Sequence, residues 1–231
     1  MAAFLQSGER MRIIFVRHGE PDYEHDCLTE TGHRQAAAAA ERLADMGISE
    51  IFSSPMGRAQ QTAAYTAERL GLPVRTLDYM HEISWGGAGI PDDGHPWVLS
   101  ERMINEENFD FFAQDWREHP YFRGNTALRY YDRVAAGIDA FLMEHGYRHE
   151  GRRCFCKNGS DKTVALFSHG GSSNCALAHI LSLPLPYVAA MLPYSFTSVI
   201  TVEFPAAPGE YVHPMLMMYD GKNRSTDWGN P

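Results

Sequence analysis

Ile13-Ile14-Phe15-Val16-Arg17-His18-Gly19-Glu20 is the stretch on which the reading of this chain turns. Its first four residues form a short continuous apolar run, the pattern of a strand buried on both faces. The next two are a basic pair, placed where that strand ends. In α/β folds, ligands bind at the carboxyl ends of the strands. A strand ending in Arg-His therefore delivers a fixed cation and a nucleophilic imidazole to that edge, a pairing suited to phosphate chemistry. An ordinary surface Arg-His would look the same in isolation, so the rest of the chain must supply partners.

Outward from this strand, strand-like and helix-like segments alternate. Residues 32–46, with an alanine run at 36–40, read as a helix stopped by Gly47, a usual left-handed cap residue. A strand is expected at 48–52, a helix at 56–70 with Pro55 near its start and Gly71 after it, and a third strand at 74–77. Residues 84–126 break the rhythm with Gly86-Gly87-Ala88-Gly89, a turn-rich stretch and then many aromatics. Phe109, Phe112 and Trp116 have helical spacing, which predicts a helix packed on the domain, and the segment as a whole suits a lid or specificity wall. Further on, a helix is expected at 130–146, a turn or hairpin over 151–162 with Asn158-Gly159, a strand at 163–167, a helix at 171–183 and strands at 197–204 and 215–219. This order predicts a three-layer α/β/α sandwich with a mostly parallel central sheet, one domain over residues 11–231 with residues 84–126 inserted, and a disordered leader at 1–10.

Composition narrows the function classes. The chain has 231 residues, 44% hydrophobic and 21% charged, ordinary for a globular protein with a real core. No apolar run approaches the ~20 residues that span a bilayer, and the N-terminus lacks a signal-peptide core, so the cytoplasm is expected. The four cysteines, including Cys154-Phe155-Cys156, lack redox or zinc spacing and read as free thiols. Eleven histidines raise the question of a metal, but no HExxH or Cys/His ligand spacing occurs, so neither metal nor cofactor is expected. A net charge of −9 argues against nucleic acid or an anionic membrane as partner. An anionic ligand would need a local cationic pocket. A homodimer is left open.

Three strand ends supply such a pocket. The first gives Arg17 and His18; the second runs into Ser53-Ser54-Pro55 and puts Arg58 in the first turn of a helix; the fourth ends in Ser168-His169-Gly170-Gly171 and opens another helix. Two arginines, two histidines and a helix N-terminus make an anion site. At this point the chain resembles the histidine phosphatase superfamily, in its phosphoglycerate mutase-like branch. The resemblance rests on Arg17-His18-Gly19-Glu20, on Leu28-Thr29-Glu30-Thr31-Gly32 with Gln35-Ala36, on Ser53-Ser54-Pro55 with Arg58-Ala59-Gln60-Gln61-Thr62, and on Ser168-His169-Gly170-Gly171, in order.

The resemblance implies that His18 is the nucleophile and forms a phosphohistidine, and that Arg17, Arg58 and His169 bind the phosphoryl oxygens. Prepositioned cations would then be the main source of catalysis. A backbone carbonyl holding one N–H of His18 would fix its tautomer, with Gly19 giving room for the close turn. Glu82 matches the position of the proton donor, with His81 and Glu20 as rivals. Asn125, in Gly124-Asn125-Thr126, stands where relatives carry a substrate-binding Gly-Glu-Ser.

Some positions depart from the family pattern. Glu24 replaces an asparagine that contacts phosphate in many relatives, and a carboxylate there must point away. The C-terminal Asn-Asp-x-x-His element is not evident, with Tyr219-Asp220-Gly221-Lys222 near its place. Only nine residues, 19–27, separate His18 from Leu28, and the longer loop of the glycolytic mutases is missing. A shorter rim admits water, so the expected activity is metal-independent hydrolysis of a small phosphomonoester. A phosphoglycerate mutase-type transferase is the alternative, and a non-catalytic phospholigand-binding protein a third reading. Arg117, Arg123 and Arg129 could read a second anionic group.

Overall fold

β1 (Arg10–Arg17) carries the apolar run inside the central sheet, with Ile13, Ile14, Phe15 and Val16 fully buried. Side chains alternate along a strand, so Ile13 and Phe15 join one core cluster while Ile14 and Val16 join another. Both faces therefore need a helical cover. The computed structural model describes residues 10–192 and 194–220. The expected leader thus lies outside the described residues except for Arg10, which opens β1. Gly221 and Lys222 also lie outside them.

After β1 come a short antiparallel pair, β2 (Pro21–Asp22) and β3 (Cys27–Leu28), and then α1 (Glu30–Leu43). β4 (Glu50–Ser53), α2 (Gly57–Leu70) and β5 (Val74–Thr76) follow. The inserted segment holds α3 (Pro96–Asn105), after which α4 (Thr126–Glu144) leads into a hairpin, β6 (Tyr147–Glu150) and β7 (Arg153–Cys156). β8 (Thr163–Ser168), α5 (Gly170–Leu181) and α6 (Leu185–Met191) come next. β9 (Val199–Pro205), β10 (Tyr211–Val212) and β11 (Met215–Asp220) complete the described chain.

Six strands form the central sheet in the order β11-β9-β1-β8-β4-β5. β1, β8, β4 and β5 run parallel, while β9 runs antiparallel to both of its neighbours, β1 and β11. The sheet is mixed, and its parallel half sets the ends of β1, β8 and β4 side by side. Leu43 of α1 and Ala63 of α2 pack on one face with Ile14 and Val16; Val134 and Ile138 of α4 and Leu177 of α5 pack on the other. This is the expected three-layer α/β/α architecture. Among the described residues, no helix is long and apolar enough to cross a membrane.

Local chemistry explains the helix limits. Thr29 caps α1, its hydroxyl accepting the Gly32 N–H at 3.0 Å. Gly71, at φ +66°, ends α2 in the left-handed conformation. α1 itself stops at Leu43, short of Gly47, because the Met46 N–H turns back to the Leu43 carbonyl.

Two expectations are corrected. Phe109, Phe112 and Trp116 do not share a helix. Asn108 takes φ +48°, and the Asp110 carboxylate accepts the Phe112 and Ala113 N–H groups at 2.9 and 3.0 Å, so side chains outcompete helical bonding there. The aromatics instead cluster edge to face, Trp116 against Phe122 and Tyr131, while Phe112 stays exposed. The hairpin expected within 151–162 turns at its start, at Gly151-Arg152 between the paired Glu150 and Arg153, and not at Asn158-Gly159. Gly151, at φ +62°, supplies the positive φ that a two-residue turn requires.

Candidate active site

Arg17 ends β1, and His18 follows it with 1% exposure. The His18 N–H reaches the Ser168 carbonyl of neighbouring β8 at 3.0 Å, which ties the two strand ends together. His18 Nδ1 lies 2.7 Å from the Gly19 carbonyl. A carbonyl can only accept, so Nδ1 carries the proton and Nε2 keeps its lone pair. Burial, with added repulsion from Arg17 and Arg58, pulls the imidazole pKa down to about 3 against the pull of the Gly19 carbonyl. The ring is neutral at physiological pH. Gly19 is required at the turn, since a Cβ there would sit 2.6 Å from the Gly32 carbonyl oxygen of α1.

Arg58, in the first turn of α2, donates from Nε to His18 Nε2 at 3.4 Å. Its Nη1 pairs with Asp26, whose other carboxylate oxygen accepts the Gly57 N–H at 2.7 Å. Asp26 thus fixes the arginine and the helix that carries it. Arg17 reaches the Tyr194 carbonyl through Nη1 and lies over the Phe196 ring, 4.5 Å from its centroid. Its Nε is buried with no hydrogen-bond partner among the described residues.

His169 stands at the N-cap of α5, fully buried, with its ring centroid 5.0 Å from that of His18. Its Nε2 lies 2.7 Å from Ser54 Oγ, and its Nδ1 is buried with no partner among the described residues. Burial, reinforced by His18 and both arginines, holds it well below the usual imidazole range. Buried polar atoms are seldom left unpaired in proteins. Arg17 and His169, the latter with its ring beside that of His18, each carry one such atom.

Glu82 lies at the N-terminus of α5. Its Oε1 accepts the Ile83 and Ser172 N–H groups at 2.9 and 3.1 Å, and Oε2 meets the Gly171 N–H only at 3.4 Å. Burial pushes its pKa up, opposed by those N–H groups and by Arg17. Gly171 is needed here because a Cβ would stand 2.6 Å from Oε1. Both rival acids are occupied. The Glu20 carboxylate takes the Thr29 hydroxyl at 2.6 Å, and His81 spends Nδ1 on the Glu82 carbonyl and Nε2 on Arg133.

The inserted segment borders this group. A Cβ on Gly170 would lie 3.7 Å from both Arg17 Cζ and Trp97 Cζ2. Trp97 belongs to an aromatic trio with Trp85 and His95, at centroid separations of 4.7, 4.8 and 5.5 Å. Asn125 has a different place from the expected substrate contact. It caps α4, with Oδ1 accepting the Gly86 and Ala127 N–H groups and Nδ2 donating to the Gly94 and Tyr121 carbonyls. Both amide protons and both lone pairs are used, so the side chain ties the glycine-rich loop. Arg117 is bound to Asp132 at 2.7 and 2.9 Å, and Glu24 is exposed.

The family profile described as histidine phosphatase superfamily (branch 1) matches residues 13–213. The chain belongs to that superfamily. It is 28% identical over 207 residues to a probable phosphoglycerate mutase, GpmB, of Yersinia enterocolitica, covering 86% of this chain and 87% of the relative. Among solved structures it resembles a mycobacterial glucosyl-3-phosphoglycerate phosphatase, at TM-score 0.62 and 24% identity over 90% of this chain and 97% of the other. A phosphoserine phosphatase from Entamoeba histolytica superposes with TM-score 0.60 at 21% identity, over 90% and 96%. These superpositions place this histidine phosphatase in a phosphoglycerate mutase-like fold. Sequence reading did not assign roles to Asp26, Ser54 or Phe196. Asp26 could have been suspected as an acid in the short rim loop and Ser54 from its place in Ser53-Ser54-Pro55, whereas Phe196 had no local signal.

Proposed function

We propose that this chain is a metal-independent phosphomonoesterase that hydrolyses a small phosphorylated metabolite through a phosphohistidine at His18. The observation that carries the reading is the locked tautomer of His18, whose Nε2 lone pair faces Arg58 Nε while Nδ1 is held by Gly19. An incoming phosphoryl group takes over the Arg58 N–H and finds donors on Arg17 Nε and His169. His18 Nε2 bonds to phosphorus as the ester P–O bond breaks. Charge that spreads over the equatorial oxygens meets fixed cations.

Glu82 protonates the leaving oxygen from Oε2, the oxygen with the weaker backbone contact. The resulting carboxylate then draws a proton from the water that attacks the phosphohistidine, breaking P–N and restoring both side chains. The aromatic trio and the rest of the inserted segment form the wall that reads the leaving group. The names of the structural relatives support small phosphorylated metabolites as the substrate class. Four free thiols support a reducing, cytoplasmic setting.

The mutase relative favours a second reading, in which the phosphoryl group returns to an acceptor instead of water. A panel of phosphomonoesters assayed after chelation, with His18→Ala alongside, tests both. Phosphate release that survives chelation and disappears in the variant supports hydrolysis. Phosphoglycerate interconversion without free phosphate would establish the mutase, and hydrolysis retained in the variant would remove His18 from the chemistry.

A further inference from the structure

A second group of reactive side chains lies at the far end of α5. His179 stands in its last turn, ten positions beyond His169 and so about 15 Å along the axis. It meets Asp139 of α4 and His149 of β6, and the three side chains bring one potential ligand atom each within 4.8 Å of one another. We infer that Asp139, His149 and His179 bind one late first-row divalent metal ion of the zinc type, separate from the phosphate pocket.

The distances suit such an ion. Asp139 Oδ1 lies 2.7 Å from His179 Nε2 and 3.4 Å from His149 Nδ1, with the two imidazole centroids 4.3 Å apart. Ligand atoms at Zn–N and Zn–O distances near 2.0–2.1 Å in a tetrahedron stand about 3.3 Å from one another. Small adjustments therefore convert the observed arrangement into a three-ligand site. Hydrogen bonding alone serves it poorly. The His149 side chain is 7% exposed, its Nδ1 is too far from Asp139 for a strong bond, and its Nε2 is buried with no partner among the described residues.

Ion type and access follow from the same residues. Two imidazoles and one carboxylate select zinc, copper or nickel over magnesium or calcium, which prefer all-oxygen shells. The group opens into a cleft of about 570 Å³, which leaves a fourth coordination position open to water. Occupancy would pin α4, α5 and the β6–β7 hairpin together without entering the reaction, in keeping with chelator-resistant hydrolysis.

The test is a Zn²⁺ titration of the chelator-stripped full chain against a colorimetric zinc indicator, with Co²⁺ absorption as a second readout. One tight equivalent is expected, with tetrahedral-type cobalt bands and a raised Tm. His149→Gln and Asp139→Asn, each checked for folding by circular dichroism, should weaken that equivalent at least tenfold, while His18→Asn retains it. Absence of a tight equivalent overturns the inference. So does an equivalent that survives both cleft variants, or one lost in His18→Asn, which would put the ion in the phosphate pocket.

Discussion

Ser54 Oγ stands 2.7 Å from His169 Nε2 and at the same time accepts the Met56 N–H at 3.2 Å. Met56 takes one of the two hydroxyl lone pairs, and the hydroxyl proton can then point to Nε2. With Nε2 accepting, His169 carries its own proton on Nδ1, the buried nitrogen with no partner among the described residues. A serine that looks like packing thus decides whether His169 offers the phosphoryl group a donor or a lone pair. Ser54→Ala should lower kcat/KM about 10–100-fold while leaving the fold intact, a loss comparable to removing part of an oxyanion-type donor. An unchanged kcat/KM, or vanadate bound as tightly as by the parent, would deny Ser54 this role.

Glu82 sets the expected pH and leaving-group dependence. Its pKa is raised by burial, and it must be protonated for the first step. Turnover of alkyl phosphates should therefore fall as pH rises through an apparent pKa above the ordinary glutamate value. Aryl phosphates with good leaving groups should show that limb weakly or not at all. Glu82→Gln should cost about 10²–10⁴-fold on alkyl phosphates and far less on the aryl esters in a burst-phase assay. Equal losses on both would assign Glu82 to positioning alone.

Two buried neutral histidines make the fold acid-sensitive. His18 is held near pKa 3 and His169 well below its usual value, whereas both titrate near 6.5 once unfolded. Between those values the unfolded state binds more protons, so stability falls as pH drops from about 6.5 towards 3 and is level above that window. His18→Asn should flatten part of this slope. Urea midpoints at about pH 7 and pH 4.5 measure it, and an undiminished slope in the variant would place the titration elsewhere.

Asn125 should register in stability more than in substrate affinity. Asn125→Ala removes the α4 cap and strands the Gly86 N–H and the Gly94 carbonyl, a cost of about 2 kcal/mol. For a chain of this size that lowers Tm by roughly 4–8 °C. A large rise in KM with no change in Tm would return Asn125 to the substrate site.

Much of this was readable from local pattern. The apolar run of β1, the alternating strands and helices and the Gly71 cap are each written in adjacent residues, and so were the strand ends that carry Arg17, His18, Arg58 and His169. The reversed direction of β9 between β1 and β11 had no signal, since the sequence of a strand is silent about which neighbour it meets. Spacing misled at Phe109 and Phe112, where the Asp110 carboxylate and the positive φ of Asn108 replaced a helix by a loop. Asp26 and Ser54 act through partners 32 and 115 residues away, contacts that only the folded chain reveals. The cluster of Asp139, His149 and His179 escaped for the same reason, because its members come from three elements with no ligand spacing between them.

The covalent step at His18 is the centre of the account, and the stereochemistry of phosphoryl transfer tests it most directly. A phosphomonoester made chiral at phosphorus with oxygen isotopes is turned over in the presence of an alcohol acceptor, and the configuration of the transferred group is read. Two successive in-line displacements, first by His18 Nε2 and then by the acceptor, predict net retention. Net inversion would mean a single direct displacement and would contradict the phosphohistidine.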